Sequence, residues 1–104
     1  MTDHPRDTVL LELEAERLRQ DRKWGEQNHR DGTGNASQVL GARIARANCQ
    51  ERSARGCVTW ADILEEEMAE ALAESDPARL REELVQVAAV AVSWVEAIDR
   101  RSRD

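Results

Sequence analysis

Glu67 and Glu70 are three residues apart, and so are Glu83 and Gln86 further along the chain. On a helix, a separation of three puts both members of a pair on one side, so each segment can present two oxygen-bearing side chains together. If the two helices run antiparallel, up to four such groups reach one place, which is how helical bundles hold metal ions. Hard oxygen donors select Mg²⁺ or Mn²⁺ over metals that prefer sulfur. The competing arrangement is a salt-bridged helix pair in which these acids meet Arg79, Arg81 or arginines of the first helix. Glu67 speaks for the metal because it falls inside an apolar arc, where a lone carboxylate is costly.

The elements that must position these groups follow from periodicity. On a wheel of 100° per residue, WADILEEEMAEAL places Trp60, Ile63, Leu64, Ala71 and Leu72 on one side, with Glu67 inside that arc, Glu70 on its border and Glu66 one step further out. The next segment carries a stripe of Leu80, Leu84, Val87, Ala91, Trp94 and Ile98, with Glu83 and Gln86 on a flank around Val90. Thr59 with Asp62 three residues on reads as a capping arrangement that opens a third helix running to about Glu74. Ser75-Asp76-Pro77 is a compact stop and restart, with Asp76 as N-cap and Pro77 at the first position of a fourth helix that ends near Arg101. So short a connection makes these two helices antiparallel neighbours.

Upstream, Met1 to Arg6 reads as a flexible leader and a single domain spans 7–104. A first helix from Asp7 to about Lys23 groups Leu10, Leu13 and Trp24 with Arg17 and Gln20. Arg17 there either lays its stem over apolar surface or aims into a pocket, and Trp24 is by type more often core than a stacking face. GEQNHRDGTGN is a loop, and its His29 is solvated unless a ligand comes to it. A second helix from Ala36 to about Ser53 has a thin stripe of Ala36, Leu40, Ile44 and Ala47. Arg43, Arg46, Arg52 and Arg55 make a basic patch on or near it, either a solvated face or an aid to phosphate binding. The whole reads as an all-α four-helix fold. The fourth helix is apolar on both sides, since Val85, Ala89 and Val92 lie opposite Leu84, Val87 and Ala91. This points to a subunit interface and a homodimer or larger homo-oligomer.

A formal charge of −6 argues against a nucleic-acid backbone as partner and suits cations. Two cysteines, Cys49 and Cys57, without an N-terminal apolar signal core fit free thiols in a reducing cytoplasm. The apolar run from Val87 to Val92 is far too short to span a bilayer.

Glu66-Glu67-Met68-Ala69-Glu70 followed, after twelve intervening residues, by Glu83-Leu84-Val85-Gln86 resembles the ExxE, spacer, ExxD signature of the MazG-like all-α nucleoside triphosphate pyrophosphohydrolases. The resemblance covers the third and fourth helices. A weaker likeness to small members of that group runs through Glu16-Arg17, Gln20, Lys23-Trp24-Gly25, Gln27 and His29. It implies a MazG-like bundle that hydrolyses a nucleoside triphosphate, with Mg²⁺, to the monophosphate and pyrophosphate, in keeping with a house-cleaning role. Glu67, Glu70, Glu83 and Gln86 would then stand at the metal-ligand positions, with Glu66 and Glu67 the acids closest to the chemistry and Glu66 either an acid supporting the ligands or the base that orients water. Arg17, Gln20, Lys23, Trp24 and His29 would contact the nucleotide. Gln86 departs from the pattern, because the family has aspartate there. An amide still offers a carbonyl oxygen but removes one negative charge. The alternatives are therefore a catalytically weakened nucleotide binder or regulator of the same fold, or a structural helical interaction module.

Overall fold

The computed structural model describes residues 4–102. It is all-α, with α1 (Pro5–Trp24), α2 (Ala36–Ala54), α3 (Trp60–Ala73) and α4 (Pro77–Arg101), and no strand among the described residues. Two compact units divide the chain, one of Gly32–Ala91 and one of Met1–Asp31 with Val92–Asp104. The first three positions of the expected leader lie outside the described residues. Its remainder is ordered into α1, which begins at Pro5 rather than near Asp7.

In the unit of Gly32–Ala91, local capping chemistry sets each helix end. Asn35 and Gln38 exchange side-chain and backbone bonds of 2.8 and 3.0 Å to open α2. Arg55 closes it, and Gly56 follows in the left-handed region at φ 71°, as the turn requires. The Cys57 N–H then donates to Arg52 O and the Gly56 N–H to Ser53 O, which satisfies the last carbonyls of α2. Thr59 and Asp62 form the expected capping box at the start of α3. The end of α3 is capped from a distance: the Thr33 hydroxyl donates to Glu74 O at 2.6 Å and the Gly34 N–H to Leu72 O at 2.9 Å. Gly34 is obligatory there, because a Cβ would stand 2.7 Å from the Ser75 Cβ and φ is 87°.

These ties put the start of α2 beside the end of α3, while Arg52 near the end of α2 pairs with Asp62 at the start of α3. The two helices therefore pack antiparallel. Their contact is built on small side chains, with Ala42, Cys49 and Ala71 buried. This corrects the stripe expected for α2: Leu40 and Ile44 are 57% and 53% exposed, and the buried face is that of Ala42 and Cys49. Small residues let two backbones approach closely, and that contact excludes the larger stripe. After Ala73 the chain turns at once into α4, where the Arg79 N–H donates to Asp76 Oδ2 at 3.0 Å and Leu80 is buried. Further along the expected α4 stripe, Val87 is half-buried, whereas Leu84 and Ala91 are exposed.

In the other unit His4 caps α1, its Nδ1 accepting from the Arg6 N–H at 3.0 Å. Arg6 Nε donates to Glu96 Oε1 at 3.0 Å, and Glu96 is only 8% exposed. Val9 is the buried residue of α1; Leu10, Leu13 and Trp24, expected to share its inner face, are exposed. No helix among the described residues is long and apolar enough to cross a membrane.

Candidate metal centre

Glu67 and Glu70 lie on the last two turns of α3, and Glu83 lies on the second turn of α4, so the tight connection brings all three to one level of the hairpin. One carboxylate oxygen from each falls within 4.8 Å of the others. Two oxygens on opposite sides of one Mg²⁺ stand about 4.2 Å apart at bonds of about 2.1 Å, so the three oxygens lie near the span of a single ion's ligand shell.

The electrostatics of the cluster are unbalanced. Glu67 Oε2 and Glu83 Oε2 are buried and take no hydrogen bond. Burial pushes the Glu67 carboxyl above its usual value, and the charges of Glu70, Glu83 and Glu66 add to the rise. Burial raises Glu83 as well, with Glu70, Glu74 and Glu82 adding repulsion and Arg46 opposing it. Leaving buried acceptors unmatched costs about 1–3 kcal/mol each, more when they are charged. A small divalent cation suits a set of three hard carboxylates, two of which carry an unmatched buried oxygen, and would offset their repulsion.

Glu70 is the partnered member. Its Oε1 accepts from Arg46 Nε at 3.2 Å and Nη2 at 3.0 Å. The cation beside the acids is thus supplied by α2, and Arg79 and Arg81, the partners expected in the salt-bridged alternative, are exposed on α4. The basic patch of α2 is correspondingly engaged at three points: Arg46 with Glu70, Arg52 with Asp62 and Arg55 with Glu51.

The remaining expected site residues divide cleanly. Glu66 lies near the buried Cys49 of α2, and its carboxylate acts on that thiol both as an acceptor and as a charge. The acceptor role comes first, and burial second, among the causes that push Cys49 up to about 11. The thiol is accordingly held protonated and unreactive. Gln86, one turn beyond Glu83, is exposed. Arg17, Gln20, Lys23, Trp24 and His29 belong to the unit that contains α1. There Arg17 donates to Gln20 Oε1 at 2.9 Å and to Asp21 Oδ1 at 2.8 Å. The Lys23 ammonium stands 4.9 Å from the Trp24 ring centroid, Trp24 is 61% exposed, and His29 pairs with Gln27 at 3.0 Å. Trp24 is therefore not core within the chain, contrary to the reading by residue type.

Arg46 is the residue that the sequence placed in a basic patch, solvated or phosphate-binding, without pairing it to the acids of α3. A signal was present: Arg46 lies four residues after Ala42 and three before Cys49, on the face that packs against α3. The larger Leu40 and Ile44 drew the stripe elsewhere.

No protein-family model, curated protein or solved structure matches the chain.

Proposed function

We propose that the chain is a Mg²⁺-dependent nucleoside triphosphate pyrophosphohydrolase of the MazG-like kind, with Glu67, Glu70 and Glu83 holding the metal. The observation that carries this reading is the convergence of three carboxylates from α3 and α4 with two of their buried oxygens unmatched. When bound, Mg²⁺ offsets charge on the phosphates and lowers the pKa of a water. The protein's own contribution is positioning. The α3–α4 turn fixes the separation of the acids, the half-buried setting limits water around them, and Glu66, next to Glu67, is the acid that the resemblance assigns to orient the attacking water. Arg17, Gln20, Lys23, Trp24 and His29 enter the proposal only through the resemblance.

The same reading includes self-association. Met68, Ala71, Leu72, Leu84 and Val87 line an apolar hollow of about 190 Å³ between α3 and α4, and Val85 is exposed as well. An apolar face of this kind on a small chain suits a second copy as its cover.

The direct test is incubation with Mg²⁺ and a panel of canonical and modified nucleoside triphosphates. Monophosphate and pyrophosphate are expected from at least one, with Glu67→Ala lowering turnover by about a hundredfold or more, as loss of a principal electrostatic contact does. No product from any member of the panel would refute catalysis. A second reading, a nucleotide binder without turnover, is favoured by Gln86 in place of the family's aspartate. It requires nucleotide-dependent stabilisation without product, and tighter Mn²⁺ binding in Gln86→Asp.

A further inference from the structure

Arg46 and Arg52 both reach from α2 to acids of α3, but their pairings differ in kind. Asp62 has both oxygens engaged, Oδ1 by Arg52 and Oδ2 by the Thr59 N–H and hydroxyl. Glu70 receives both donors of Arg46 on the single atom Oε1. A two-oxygen fork is the strong geometry for an arginine–carboxylate pair, and this one is not a fork. The Arg46 side chain is 55% exposed against 20% for Glu70, so solvent and solutes reach the guanidinium while its partner stays in the half-buried cluster.

The charge balance gives this pair a second meaning. The three clustered carboxylates outweigh the Arg46 guanidinium by two negative charges when ionised, the charge of one divalent cation. Arg46 neutralises one acid and leaves Glu67 Oε2 and Glu83 Oε2 without a partner. A cation that enters to satisfy them must also compete for Glu70. Once displaced, the guanidinium stays anchored on the inner face of α2 between Ala42 and Cys49. Guanidinium is weakly hydrated and shaped for phosphate oxygens.

We propose that Arg46 is the resident counter-ion of the acidic cluster: it holds Glu70 when no cation is present, yields Glu70 to a divalent cation, and then contacts the phosphate oxygens of a metal-bound polyphosphate. This rests on the metal-site reading above and adds to it a named phosphate contact and an exchange. A merely structural pair between α2 and α3 would change stability alone. The exchange instead moves two affinities in opposite directions.

The experiment uses the full chain as wild type, Arg46→Met and Arg46→Lys, with Mn²⁺ alone titrated by electron paramagnetic resonance. Tripolyphosphate is then titrated by calorimetry with free Mn²⁺ held at saturation. Arg46→Met is expected to bind Mn²⁺ about threefold more tightly, since a competing charge of surface-pair strength is gone. It should bind tripolyphosphate about tenfold more weakly, equivalent to about 1.4 kcal/mol. Arg46→Lys should restore part of the tripolyphosphate affinity. Unchanged or weakened Mn²⁺ binding in Arg46→Met, or undiminished tripolyphosphate binding, would overturn the exchange while leaving the metal site standing. Wild-type protein that binds no Mn²⁺ would remove the metal site itself. If Arg46→Met does not fold by circular dichroism, Arg46→Lys decides: a ninefold to tenfold or greater loss of tripolyphosphate affinity, or none, with Mn²⁺ affinity unaltered in either case, counts against the proposal.

Discussion

Asp62 and Glu67 stand on the same helix, both withdrawn from solvent, and meet opposite electrostatic surroundings. Asp62 is 6% exposed and fully provided for. The Thr59 N–H holds its carboxyl below the usual value against the cost of burial, and the Thr59 hydroxyl and Arg52 reinforce the effect. Glu67 has a buried oxygen with no donor and three acids around it, and its carboxyl is pushed up. An acid that completes a cap and an ion pair has its acceptors filled within the fold; Glu67 leaves an orphaned oxygen beside like charges, which a proton or a cation would relieve. The contrast separates a carboxylate whose partners are all inside the fold from the one on which the proposed metal site rests.

The largest expected effect tests the ligand side of that contrast. Glu83→Gln removes an acid with an orphaned oxygen that is, among the described residues, the cluster's member on α4. Mn²⁺ affinity should fall by about a hundredfold, because disturbing even the groups that support metal ligands costs about ten- to a hundredfold. Titration of Mn²⁺ by electron paramagnetic resonance reads this directly. An affinity within a factor of about two of wild type would dissolve the distinction between Glu83 and an ordinary surface acid.

Asp62→Ala tests the structural side. It leaves the Thr59 N–H without its acceptor and Arg52 without its partner, so Tm should drop by roughly several degrees with no change in Mn²⁺ affinity. The pH dependence has a definite sign. Asp62 titrates lower in the folded chain than unfolded, so its contribution is present in full above the ordinary carboxylate value of about 3.9 and is lost as pH falls through the lowered folded value. The Tm gap between wild type and Asp62→Ala should therefore be constant from about pH 6 to 8 and narrow below about pH 4. A gap that persists at low pH would mean that packing, not charge, sets the value of Asp62.

What could be read from the sequence divides along the same line. Thr59-x-x-Asp62, Ser75-Asp76-Pro77 and Gly56 announce helix ends through local backbone chemistry, and all three ends fall where that chemistry puts them. The spacing of Glu67, Glu70 and Glu83 was legible for the same reason, since a short turn leaves little choice about which side chains meet. The inner face of α2 was not, because periodicity weights bulky residues, and the α2–α3 contact is decided by how small Ala42, Cys49 and Ala71 are. The same misplaced stripe hid the pairing of Arg46 with Glu70. The Arg6–Glu96 pair links residues ninety apart in the chain, and no local signal marks it.

The smallest effect is the most diagnostic because its sign is unusual. Glu67 titrates higher in the folded chain than unfolded, so as a charged group it opposes folding. That opposition is absent below the ordinary glutamate value of about 4.3, grows as pH rises toward the folded value, and is complete above it. Glu67→Gln should therefore raise Tm by roughly a few degrees at pH 8 in metal-free buffer, and the gain should vanish near pH 4. With saturating Mn²⁺ the order reverses, since only the wild type is stabilised by the ion. Differential scanning calorimetry with and without chelator measures both halves. A Glu67→Gln protein less stable than wild type in chelator at pH 8 would show that Glu67 is already satisfied, and that its resemblance to Asp62 goes further than burial.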